Sequence, residues 1–141
     1  MLYIPLTKDG FGLLVEAAKD LGVTECVFWP IGDSVFTVSS KILSDCLRED
    51  TKERVTTYDD NNIALVSVYD VSVAELAAKA EGGFDEIEKN FDSIAFYKPG
   101  ELSWILCYIF HERMAVAKHD KLASVFEAYK LPYSPVSPDY W

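Results

Sequence analysis

The chain has 141 residues, half of them hydrophobic, and carries 23 Asp and Glu against 13 Lys and Arg, a net charge of −10. That length suits one domain, which buries roughly 68% of its unfolded surface and so needs neither metal nor disulfide to hold a core. The acidic balance argues against direct contact with nucleic-acid phosphates and against adsorption on anionic membranes.

Residues 2–6 read as a first strand, and the segment after Asp9 as a helix over roughly 10–21. Phe11, Leu14, Val15, Ala18 and Leu21 fall on one helical face, and Gly22 is placed to stop the helix in a left-handed conformation. Residues 25–29 and 35–38 are rich in β-branched and aromatic types, and Pro30-Ile31-Gly32-Asp33-Ser34 between them has hairpin chemistry. Ser39 or Ser40 starts a helix carrying Ile42, Leu43, Cys46 and Leu47. Residues 55–58 and 63–69 read as strands around Asp59-Asp60-Asn61-Asn62, four residues that favour Asx-type turns.

Ser72-Val73-Ala74-Glu75 forms a capping box for a helix that stops at Gly82-Gly83. A shorter helical piece follows, with Phe84, Ile87 and Phe91 inward and Asp85, Glu86 and Glu88 outward. Residues 93–97 and 102–110 predict a hairpin around Lys98-Pro99-Gly100-Glu101, and 114–117 a further strand. The 102–110 strand is apolar on both faces, which predicts a central position covered on both sides. At seven residues, its apolar run from Trp104 to Phe110 is far short of a membrane span. Asp120 is placed to cap a last helix carrying Leu122, Val125, Phe126 and Tyr129. Residues 132–141 hold three prolines yet keep Tyr133, Tyr140 and Trp141, so this tail is expected to pack on the domain or on a partner. Hairpin-length links dominate, so the expected fold is a single α+β domain over 1–131, a mostly antiparallel sheet with helices packed on it.

Catalytic signatures are missing. The glycines do not fall into phosphate-loop spacing, His111 and His119 match no zinc pattern, and there is no nucleophile elbow. If both histidines flank one short strand they would lie eight residues apart along it, on one side. No cofactor and no metal are expected. Cys26, Cys46 and Cys107 are odd in number and without CxxC, which fits reduced thiols in a cytoplasmic protein; the first residues also lack the basic start of a signal peptide.

What stands out is where the acids sit. Residues 59–92 hold nine acids and two bases, a charge of −7, whereas residues 1–58 stand at −3 and residues 93–141 at zero. Clustered charge of one sign steers partners of the opposite sign. The expected partner-binding residues are therefore Asp59, Asp60, Asp85, Glu86, Glu88 and Asp92, and the expected partner is a basic protein.

With Asp59-Asp60-Asn61-Asn62 and Phe84-Asp85-Glu86-Ile87-Glu88 as its acidic stretches, the chain resembles the small immunity proteins of bacterial toxin systems in size, acidity and α+β outline. That resemblance implies a cytoplasmic, non-enzymatic inhibitor that covers the cationic site of one cognate toxin, for example a nuclease. Other readings stay open at this point. The chain could be an acidic decoy for a DNA-binding protein, or an adaptor that docks through its aromatic tail. It could also be a small enzyme built from scattered residues, with Tyr58, His111, Glu112, Arg113 and His119 the first to test.

Overall fold

The computed structural model describes residues 1–6, 10–30, 48–49, 69–72, 88, 91–101 and 103–139. The expected turn residues 31–34, the helix after Ser40, the turn at 59–62, residues 73–87 of the two expected helices and the last two aromatics lie outside them; Phe91, expected inward on the shorter helical piece, begins a strand instead.

The fold is α+β. Among the described residues, seven strands form one sheet: β1 (Leu2–Pro5), β2 (Glu25–Pro30), β3 (Arg48–Glu49), β4 (Tyr69–Ser72), β5 (Phe91–Tyr97), β6 (Leu106–Ile109) and β7 (Met114–Ala117). Their spatial order is β1-β7-β6-β5-β2-β4-β3, and every neighbouring pair is antiparallel. β5, β6 and β7 form a meander at its centre, with Phe96 opposite Leu106 and Leu106 opposite Ala117.

Helix α1 (Gly10–Asp20) buries Phe11, Leu14, Val15, Ala17 and Ala18, the face set by their spacing. Helix α2 (Ala123–Ala128) follows a single 3-10 turn, Asp120–Leu122. Both helices lie on one face of the sheet. There Leu2, Ile4, Ile94, Phe96, Leu106, Tyr108, Ala115 and Ala117 pack with the buried face of α1 and with Leu122 and Phe126. The Tyr129 hydroxyl donates to the Asp20 carboxylate and ties the ends of the two helices together. No helix among the described residues is long and apolar enough to cross a membrane.

β6 behaves as its composition predicts. Leu106 and Tyr108 enter the helix-side core, Cys107 and Ile109 enter a second cluster with Ala95, Tyr97, Trp104 and Val116, and all four strand residues are buried. Its extent is a correction. The turn at 98–101 forms as expected, with the Glu101 N–H donating to the Lys98 carbonyl at 3.1 Å and Gly100 at φ 77°. Pairing resumes only at Leu106, so Trp104 and Ile105 are buried in the loop rather than in a strand.

Asp120 is a second correction. The 3-10 turn has no side-chain cap, and the Asp120 carboxylate instead accepts the terminal ammonium of Met1 at 3.1 Å. The tail lies along the outer edge of β1, where the Tyr3 and Ser134 backbones exchange two hydrogen bonds of 2.8 and 2.9 Å.

Candidate functional site

The meander has two ends, and the chain places opposite charges on them. One end is built from the β6–β7 turn, residues 110–113, and the start of β5. The turn closes when the Arg113 N–H donates to the Phe110 carbonyl at 3.1 Å, with Arg113 itself left-handed at φ 49°. Beside it, Trp29 pairs with Ser93 and Pro30 with Phe91, so Asp92 is an extra residue in β5, a β-bulge. The inserted residue reverses strand parity, which puts Phe91 on the same core face as Ile94 and Phe96. It also brings Asp92 to the turn. Its carbonyl accepts the Phe110 N–H at 2.9 Å, and its carboxylate meets His111 Nδ1 at 2.9 Å.

Three more contacts complete this end. His111 Nε2 lies 3.4 Å from the Glu112 carboxylate, and the Arg113 guanidinium donates to Glu88 at 3.3 Å. Below them Tyr108 stacks obliquely on Phe11 at 5.2 Å and meets Phe110 edge-on at 5.0 Å. Burial, helped by the Glu88 charge and opposed by Arg113, pushes the Tyr108 phenol up to about 12. Among the described residues, three carboxylates (Glu88, Asp92, Glu112) gather at this end with one guanidinium, and these four formal charges sum to −2.

Of the six residues expected to bind a partner, Glu88 and Asp92 are described, and both belong to this cluster. Asp59, Asp60, Asp85 and Glu86 lie outside the described residues. Of the residues that the enzyme reading groups together, His111, Glu112 and Arg113 share the turn, and Tyr58 lies outside the described residues. His119 is separated from them by β7, whose four residues span about 13 Å. The two histidines therefore sit at opposite ends of the meander. Cys26 and Cys107 are buried. Among the described residues, no group of three His, Cys, Asp or Glu side chains is arranged to hold a metal ion.

Sequence reasoning missed the other end altogether. Lys98, Lys118 and Lys121 meet there around Trp104. The signal was hidden because residues 93–141 sum to zero, and only the antiparallel register sorts their charges in space. No family model, no curated protein and no solved structure matches the sequence.

Proposed function

We propose that the chain is a cytoplasmic, non-enzymatic binding protein that neutralises a basic partner, in the way an immunity protein covers the cationic site of a toxin such as a nuclease. The observation that carries this reading is the gathering of Glu88, Asp92 and Glu112 at one end of the meander. Their internal partners are easily exchanged. His111 and Arg113 are 55% and 56% exposed, and ion pairs so open to water contribute at most about 1 kcal/mol. A partner's arginine fork can displace them at little cost and add bidentate geometry. Asp59, Asp60, Asp85 and Glu86 are the remaining residues expected to bind that partner.

The test is to immobilise the chain, pass an extract of its host over it and elute with salt. A basic protein should be captured, and its association rate should fall steeply as ionic strength rises. The triple variant D85K/E86K/E88K should slow that association about tenfold while melting at the same temperature as the parent. An association rate indifferent both to salt and to the three reversals removes the proposal.

A further inference from the structure

We propose that the end of the meander opposite His111 is a second site, one that binds a compact polyanion of the phosphorylated small-molecule class. Lys98, Glu101 and residues 103–105, with the segment after β7, enclose a cleft of about 390 Å³, within the range of small-molecule sites. Among the described residues, Lys98, Lys118, Lys121 and His119 line it with one carboxylate, Glu101. Three of the chain's 13 Lys and Arg side chains thus converge on one concavity of a protein at −10. Like charges held together repel one another, and a bound anion relieves that repulsion.

Lys118 is tethered on both sides of its head group. Its ammonium donates to the Ser103 hydroxyl and lies 4.4 Å above the ring of the buried Trp104. A free lysine carries about 2 kcal/mol of side-chain entropy, and here two contacts fix the head group before any ligand arrives. Lys98 and Lys121 are exposed and make no ion pair among the described residues. Asp120, between His119 and Lys121 in the chain, is held by the Met1 ammonium. The ligand must be small. Fields decay over about 8 Å at physiological salt, so a compact anion responds to the cleft alone, whereas a nucleic-acid strand would meet the acidic remainder of the chain.

Inorganic pyrophosphate is the probe, added to the full chain at low salt and followed by calorimetry and by backbone and indole NH resonances. Saturable one-to-one binding is expected, with shifts confined to Trp104 and residues 98–103 and 118–121. K98Q/K121Q changes only exposed side chains and should weaken binding about tenfold or more without altering the melting temperature. S103A, which releases the Lys118 tether, should weaken it about threefold. K130Q, a lysine outside the cleft, should leave it unchanged. Absence of saturable binding overturns the proposal, and so does equal affinity in K98Q/K121Q and the parent.

Discussion

Lys130 holds at the end of α2 the position that Gly22 holds at the end of α1. Both are left-handed, at φ 56° and 81°. Both helices close with the same bond pair. Val23 N–H reaches the Ala18 carbonyl at 3.1 Å and Gly22 N–H reaches Lys19 at 3.0 Å, while Leu131 N–H reaches Phe126 at 2.9 Å and Lys130 N–H reaches Glu127 at 3.0 Å. This is the Schellman closure, and its left-handed residue is ordinarily glycine.

A side chain in that conformation costs about 1–2 kcal/mol, partly offset in Lys130 by its positive charge near the helix C-terminus. K130G should therefore stabilise the protein by about 0.5–1 kcal/mol and raise the melting temperature by about 3 °C. G22A should lower stability by about 1 kcal/mol, and the cause is backbone strain alone, because an added Cβ meets nothing within 4 Å. Urea denaturation measures both. If K130G destabilises, the lysine's charge outweighs the strain.

Tyr108 supplies a pH signature of the acidic end. Its phenol is raised from 10.0 to about 12, first by burial and then by Glu88. A group whose pKa is higher folded than unfolded contributes stability that is complete below pH 10 and is lost as pH rises through about 12. Thermal stability should accordingly fall across that window, and Y108F should flatten the fall. E88Q should bring the Tyr108 titration down and R113A should take it further up, as read by tyrosinate absorbance. Variants without effect would separate Glu88 and Arg113 electrically from the phenol.

The tail guards an edge. β1 pairs with β7 on one side, and on its other side Tyr3 is bonded to Ser134. Truncation after Leu131 keeps the buried leucine that closes α2 but uncovers the Tyr3 N–H and carbonyl. Open strand edges pair with one another. The truncated chain should lose about 2 kcal/mol and gain concentration-dependent association in sedimentation, each lost bond being worth about 1 kcal/mol. Loss of the whole fold would place residues 132–141 in the core.

Much of this architecture is legible locally. Two-faced apolarity over 104–110 marks β6 as central, and the spacing of Phe11, Leu14 and Val15 fixes the buried face of α1. What is not legible depends on distance along the chain. Asp120 looks like a cap until Met1, 119 residues away, claims its carboxylate. Trp104 and Ile105 look like strand because burial in a loop and burial in a sheet select the same residues. The bulge at Asp92 leaves no local mark, yet it alone brings that carboxylate to His111. Charge sorting between the two ends follows the register and is invisible to sums over windows.

Arg113 separates the backbone's demands from the surface's. Its φ of 49° favours glycine, and its guanidinium offsets Glu88 in the acidic cluster. R113G should relieve strain of about 1 kcal/mol and lose an exposed pair worth about half that, so its stability should match or slightly exceed the parent's. The same change takes the cluster from −2 to −3. If this end meets a cationic partner, the variant should associate faster than the parent at low salt, and the gain should vanish at high salt. Stopped-flow association against the captured basic protein reads both effects. A slower rate with stability unchanged would mean that the guanidinium itself contacts the partner, and the sign of the proposed interface would have to be reversed.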